Sequence, residues 1–354
     1  YFQVQGSIAN NASSFTPSGT VTIGSTSYTP EVVKVVSNSA GGDEKESITS
    51  IKLNAPAAFS SQQRMVTAED YKAIINKNYS AVLDDVIAWG GNDNIPPDFG
   101  SVYVSLKFKD NVTAAVQTNT KNAIKTSLSD NLAIMSIDTE FSDPIDTFVE
   151  ITTSFNFDPD LTGDTAETTA VTVQNTISSF FTNNLNKFGK VFRRSILTAA
   201  IDDLSIAILN TSMALKVQQR FTPTVGVATD YAVKFPVKLS NPDDVEHIIT
   251  SSNFTFSNQT CNLKNKLGSN TIQIVSSAGA VLNDNIGSYN AITGLVTLTQ
   301  FNPTAIEGSS IKVSSKPIDQ STITPLRQHI LKFDADLSQA IPTLDFQNTP
   351  TVIS

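Results

Sequence analysis

The sequence predicts an α+β multidomain protein: two successive split-βαβ-like α/β sandwiches followed by a β-rich domain. Three observations carry this. Between about residues 67 and 220, helical repeats of apolar residues alternate twice with period-two strand patterns. From 221 onward the helical periodicity disappears, and turn residues recur at Asn241-Pro242, Gly268-Ser269, Gly279, Gly287, Gly294 and Gly308. The chain has 354 residues, 40% of them hydrophobic, which is more than one domain of roughly 100–200 residues needs and enough to build several cores.

In chain order, Val21, Ile23 and Tyr28, then Val32, Val33, Val35 and Val36, read as a hairpin turning near Gly24 to Ser27. Gly41-Gly42 and the acidic run Asp43-Glu44-Lys45-Glu46 follow, then apolar Ile48, Ile51 and Leu53, ending at Pro56. Residues 1–60 are therefore taken as a β-rich or linker segment. Tyr1-Phe2-Gln3 reads as the remnant of a protease-cleavage linker and is set aside.

The first α/β sandwich is assigned to 61–142. Its helix starts at Thr67, with Asp70 three residues on as a capping-box partner and Val66 and Tyr71 at the staple positions. Ile74 and Ile75 continue the apolar face. Val82 to Trp89 and Ser101 to Phe108 read as strands, the second with Val102, Val104, Leu106 and Phe108 on one face. Val112, Val116, Ile124 and Leu128 mark a helix over 111–129, and Met135 to Phe141 a last strand.

The second α/β unit, 143–220, repeats the theme. Phe148 to Phe157 alternates as a strand, and Asp164 with Glu167 predicts a second capping box. A helix follows with Ala170, Val173, Ile177, Phe181 and Leu185 on one face. A short helix from Ser195 and a long strand over Ile206 to Gln219 close the unit. The β-rich domain spans 221–320, with strands at Thr271–Val275, Leu295–Leu298 and Ile311–Val313. The segment 321–354 reads as an extended C-terminal tail docked through Leu326, Ile330, Leu331 and Phe333.

Composition excludes several function classes. The formal charge is −9 and the pI about 4.7, with no Lys/Arg block longer than Lys187, Lys190, Arg193 and Arg194, so nucleic acid is not an expected partner. No apolar run reaches the roughly 18 residues of a membrane span. A single cysteine, Cys261, allows no internal disulfide and no Cys-rich metal site. Asp158, Asp160 and Gly163 open like a calcium loop, but the position that needs a bidentate Glu is Thr169. Asp84-Asp85, Asp202-Asp203 and Asp243-Asp244 are sequence neighbours whose side chains diverge. His247 stands near Asp244, Glu246 and Ser251, yet no nucleophile elbow exposes a serine, and no Gly-rich phosphate loop is present. No catalytic, cofactor-binding or metal residues are assigned, and the chain is expected not to be an enzyme.

Three stretches together resemble a known family. They are Gly41-Gly42-Asp43-Glu44-Lys45-Glu46-Ser47, Asn54-Ala55-Pro56-Ala57-Ala58-Phe59, and Gln63-Arg64-Met65-Val66-Thr67-Ala68-Glu69-Asp70-Tyr71. Their order and spacing are similar to the signature of baseplate-J-like proteins. Ile286-Gly287-Ser288-Tyr289 and Thr293-Gly294-Leu295-Val296 resemble the β-rich ending of the T-even-type members, of which this chain resembles a C-terminal part. The resemblance implies a structural subunit of a contractile-tail baseplate, in the inner wedge ring around the hub, that rearranges as the sheath contracts. It implies a homodimer, contacts with other wedge proteins and with hub or sheath-proximal proteins, a place in the virion, and assembly in the bacterial host cytoplasm. It carries no cofactor.

Under this reading the working residues are interface residues. Trp89, Phe180, Phe188, Phe192 and Phe333 are the candidates, because large aromatics anchor protein interfaces; Trp89 reads equally as the end of a core strand, and Phe180, Phe188 and Phe192 as part of a wide core face. Phe180 and Phe181 are neighbours on a helix and cannot both face one narrow seam. Movement is expected at subunit contacts or at hinges near Asp143-Pro144 and Arg220–Val225. Two other classes are kept in view: an adhesin-like glycan-binding module at 221–320, which needs aromatic platforms such as Tyr231 and Tyr289, and a tail-associated hydrolase, which needs two carboxylates across a cleft.

Overall fold

The computed structural model describes residues 19–29, 48–61, 64–94, 96–129 and 137–347. The chain is α+β and divides into two compact units between Pro144 and Ile145.

The first unit opens with a hairpin of β1 (Val21–Ile23) and β2 (Thr26–Tyr28), which turns at Gly24 and Ser25. The expected continuation at Val32 to Val36 lies outside the described residues, as do the Gly41–Ser47 stretch and Tyr1-Phe2-Gln3. α1 (Ile48–Ser60) is helical straight through Pro56, where the sequence pointed to an ending. A proline inside a helix forgoes one backbone hydrogen bond; α1 keeps its course and lies beside α2. α2 (Ala68–Tyr79) is capped as expected: Thr67 Oγ1 accepts from the Asp70 N–H (3.2 Å), and Asp70 Oδ2 accepts from the Thr67 N–H (2.9 Å).

The buried face of α2, Tyr71, Ile74 and Ile75, packs on β3 (Leu83–Gly90) and β4 (Ser101–Phe108), an antiparallel pair in the register Ala88↔Val104. Val102, Val104 and Leu106 are buried on one face of β4, as their alternation requires. α3 (Ala114–Ala123) runs on as a π-helical turn, Ile124–Ser129, and leads to β5 (Asp138–Phe141), parallel to β4; the predicted start of that strand at Met135 lies outside the described residues. The strand order is β3-β4-β5. The βαβ crossover thus joins direct neighbours and is not split, because β3 occupies the other edge of β4.

The second unit is built on two long strands, β6 (Ile145–Phe157) and β8 (Ile208–Phe221), antiparallel from Phe148↔Gln218 to Asn156↔Asn210. Between them lie α4 (Ala166–Asn184), β7 (Phe192–Arg193) and α5 (Arg194–Asp202). Each helix reverses the chain, so two helices return β8 antiparallel to β6, where a single-helix βαβ would return it parallel. The cap of α4 is Thr165, whose Oγ1 accepts from the Thr168 N–H (3.2 Å), and not the Asp164/Glu167 pair. The helix starts one residue later than the sequence pattern placed it.

β9 (Thr229–Lys234), β10 (Ile249–Ser251), β11 (Phe254–Phe256), β12 (Gln259–Asn265), β13 (Thr271–Ser276), β14 (Val281–Asn290), β15 (Leu295–Phe301), β16 (Ala305–Ile306) and β17 (Ile311–Ser315) make up the β-rich stretch. β17 pairs with β8, so this stretch continues the same sheet, in the order β6-β8-β17-β10-β12-β13-β14-β15-β9. The β11–β12 hairpin turns on Ser257 (φ 50°) and Asn258 (φ 60°), both left-handed, as a two-residue hairpin turn requires. Gly294 (φ +66°) is needed for a second reason: a Cβ there would lie 2.5 Å from the Val237 carbonyl oxygen.

The C-terminal residues supply β18 (Thr322–Ile323), β19 (His329–Phe333) and β20 (Gln339–Leu344). β19 and β20 run one after the other along β6, both parallel to it. The expected joint at Arg220–Val225 is tied at its start: Arg220 and Phe221 pair with Lys312 and Ile311 across the β8–β17 ladder. The core of this unit takes in Phe155, Phe157, Phe181, Phe192, Phe254 and Phe301.

Candidate interaction surface

Along β6, the odd-numbered residues Val149, Ile151, Phe155 and Phe157 are buried in the core that α4 and α5 cover. The even-numbered residues face the other way. Pairing brings Thr152 beside Ala214 and Gln339, Ser154 beside Ser212 and Ile341, and Asn156 beside Asn210 and Thr343. Residues paired across strands share a face, so β20, β6 and β8 present one three-strand surface of short side chains. Thr152, Ser154, Asn210, Ser212, Ala214, Gln339, Ile341 and Thr343 on it are exposed.

The outer edge of β20 is guarded. The Asp345 N–H donates to the Phe157 carbonyl on β6. Strand alternation then turns Pro342, whose nitrogen carries no hydrogen, outward. A proline with its nitrogen on the free side is a common way to discourage strand addition.

Beside this surface the same face holds a network of charged and amide groups. Glu150 Oε1 accepts from Gln218 Nε2 (2.7 Å) and from the Ser314 hydroxyl. Asp334 Oδ2 accepts from Gln218 Nε2 (2.9 Å), Arg220 Nη2 (2.9 Å) and Lys312 Nζ (3.0 Å). Arg220 Nε also donates to Gln218 Oε1 (2.8 Å), and its guanidinium carbon lies 3.4 Å above the centre of the Phe148 ring, a cation–π contact. Burial pushes the Asp334 carboxyl up, but Lys312, Gln218 and Arg220 together hold it below the usual carboxylate value. The network joins β6, β8, β17 and the turn after β19, four segments far apart in sequence.

On the core side of the same strands, Gln219 Nε2 donates to Thr147 Oγ1 (2.6 Å), which lies 2.9 Å from His329 Nδ1. Thr147 thus ties Gln219 on β8 to His329 on β19. Burial, and secondarily the field of Lys234, push the His329 pKa down to about 4.

These groups are used up by each other. Asp158 Oδ1 accepts from the Asp160 N–H (3.0 Å) and Oδ2 from the Gln347 N–H (3.2 Å), so the calcium-loop pattern is a turn. His247 Nδ1 lies 2.7 Å from the Asn265 carbonyl, while the Ser251 hydroxyl donates to Ser252 and accepts from Leu263; no relay connects them. Cys261 is buried.

The aromatic candidates face inward to different degrees. Trp89 is buried, stacked on Tyr103 with ring centres 5.9 Å apart, and its Nε1 donates to Asn94 Oδ1 (2.9 Å). Phe188 and Phe192 are buried, and Phe192 stacks on Phe181 at 5.6 Å. Phe180 and Phe333 are partly buried, packed against the same core. Phe181 is buried in the core, while its neighbour Phe180 is half-buried against the same core. The polar face of β6, β8 and β20 carried no signal in the sequence, because its residues are small and its third strand lies nearly 200 positions from its first.

Residues 67–141 match the family model described as baseplate structural protein gp6, C-terminal domain I. The match begins at the Thr67 cap of α2 and ends at Phe141, the last residue of β5, so it covers the β3-β4-β5 sheet and its two flanking helices. It supports a structural protein of the phage tail baseplate. No curated protein matches the chain.

Proposed function

We propose that this chain is a non-enzymatic subunit of the inner wedge ring of a phage tail baseplate, that it works as a homodimer joining neighbouring wedges, and that it moves as rigid bodies during sheath contraction. The observation that carries the reading is the match of a complete sheet-and-helix module to a baseplate structural domain. The second unit supports it physically. Its α/β part, its β-rich part and its C-terminal strands are joined in one sheet, and the Glu150–Gln218–Asp334 network fastens them together. Such a body transmits load without deforming, and rearrangement then falls on contacts between bodies.

The second copy is the occupant assigned to the open face of β20, β6 and β8. Short Ser, Thr and Asn side chains lose little rotamer freedom on contact and offer hydrogen bonds to a wet interface. The other proteins of the wedge, the hub and the sheath-proximal layer are the further partners in this reading. The aromatic residues that a glycan platform would need are spent elsewhere: Tyr289 is buried, and Tyr231 packs against Phe221 and Phe301.

Sedimentation velocity across a wide concentration range tests the reading. The chain is expected to sediment as a dimer, and Thr152→Arg, which places a long charge on the exposed face, is expected to return it to a monomer. A wild-type monomer at every concentration would overturn the homodimer. A dimer indifferent to Thr152→Arg would move the contact off this face.

A further inference from the structure

β8 has a stretch of free edge. It pairs with β6 from Ile208 onward, but its second partner, β17, begins only at Val217. Among the described residues, no strand pairs with the other edge of β8 between Ile208 and Lys216. The Leu215 N–H points to that edge, where it donates to the side chain of Gln320 (3.2 Å), and the Met213 carbonyl there accepts from Arg194 Nη1 (3.4 Å). Backbone groups two residues apart on a strand point the same way, so Thr211 and Met213 direct theirs to this edge as well.

The edge opens into a cleft of about 690 Å³. One wall is a single face of α5, formed by Ser195, Thr198, Ala199 and Asp202. The other is the short β7–β18 ladder, with Arg193 paired to Thr322 and the Arg194 N–H bonded to the Ser321 carbonyl. The helical wall from Ser195 to Asp202 is about 10 Å long, the span of about three strand residues. Its side chains are short, which leaves the backbone of β8 within reach. Arg193 and Arg194 line the cleft with one acid, Asp202, and a second acid, Asp319, lies within the field of Arg194, so Arg193 is the cation left to an incoming carboxylate, in a chain whose net charge is −9. Arg193 makes no ion pair among the described residues.

The geometry points to this cleft as a strand-accepting site: an extended acidic segment of a neighbouring protein adds as a strand to the free edge of β8, with a carboxylate on Arg193. Strand addition takes affinity from main-chain hydrogen bonds and selectivity from alternate side chains. The bonds now made there by Arg194 and Gln320 come from flexible side chains, which an entering strand displaces. The contrast with β20 is instructive: that edge is closed by Pro342, while this one is left open inside a walled cleft. The inference does not depend on the baseplate reading, since the cleft lies outside the matched segment.

The test is fluorescence anisotropy of the full chain with a labelled peptide, acetyl-Thr-Val-Glu-Val-Thr-amide, at low salt. Three comparisons go with it: the same peptide N-methylated at alternate residues, its lysine-for-glutamate counterpart, and the variants Arg193→Glu/Arg194→Glu and Thr198→Trp. Saturable binding is expected, weakened at least tenfold by N-methylation, by the lysine exchange and by either variant. Thr198→Trp fills the cleft and keeps both arginines, so it reports on the cleft even if the double charge reversal unfolds; circular dichroism checks both. No binding at millimolar peptide would overturn the proposal. Equal binding of the N-methylated peptide would also overturn it, leaving only charge attraction. Equal binding of the lysine peptide would overturn the acidic partner.

Discussion

Asp334→Asn removes one charge and almost no volume, and it strikes the point where three segments of the second unit meet. Asp334 is almost wholly buried and neutralises two cations, with Arg220 and Lys312 side chains 31% and 21% exposed. Breaking a buried ion pair by removing one partner costs about 3–5 kcal/mol. Here the stranded cations are partly wet and recover some hydration, so the expected loss is about 2–3 kcal/mol, with the amide still able to accept from the Asp336 and Leu337 N–H groups. For a body of this size, that is a fall of roughly 4–12 °C in the melting temperature. Urea unfolding followed by far-ultraviolet circular dichroism measures it. The transition of the second unit is expected to move to lower urea with an unchanged slope, while that of the first unit stays in place. Asp146→Asn is the control: its pair with Lys332 is more than a third exposed at both ends, and its loss is expected to cost under about 0.5 kcal/mol. Equal small effects from Asp334→Asn and Asp146→Asn would refute the claim that the buried network fastens the second unit.

His329 is neutral in the folded chain, with a pKa about 4 against 6.5 for the free side chain. The unfolded chain therefore binds the extra proton between these values, and stability falls as pH drops from about 6.5 towards 4, by at most about 3 kcal/mol. Thermal melts of His329→Gln over that range are expected to flatten this slope, and an unchanged slope would remove His329 as its source. The Asp334 carboxyl acts lower still: its folded pKa is depressed, so its contribution is present above about pH 4 and is lost on further acidification. Gly294→Ala combines a left-handed φ with a backbone clash and is expected to cost about 2 kcal/mol or more in denaturant unfolding. Thr67→Ala removes one half of a capping box, and about 1 kcal/mol is expected from the first unit's transition alone.

What could be read in the sequence is what is local. Thr67 and Asp70 stand three residues apart, and both halves of their capping box form. The alternation of Val102, Val104 and Leu106 puts all three in one core. Pro56 misled: a local helix-breaking rule pointed to an ending, and α1 runs through it beside α2. The network was beyond sequence reasoning altogether. Glu150 meets Gln218 across 68 positions and Ser314 across 164, and no composition or period marks such partners. The C-terminal residues Ile330, Leu331 and Phe333 announced docking but not a dock, because a parallel partner strand leaves no turn between the two to recognise. The same holds for the open polar face, whose Ser and Thr residues are indistinguishable in sequence from ordinary solvated strand positions.

Electron cryomicroscopy of baseplates from the phage tails that carry this chain tests the central claim most directly. The account predicts density for the β3-β4-β5 module and for the β6–β8 sheet body in the ring surrounding the hub, each body keeping its internal structure between extended and contracted tails. Finding the chain at a fibre tip or on the virion surface away from that ring, or finding the β6–β8 body itself deformed on contraction, would contradict it.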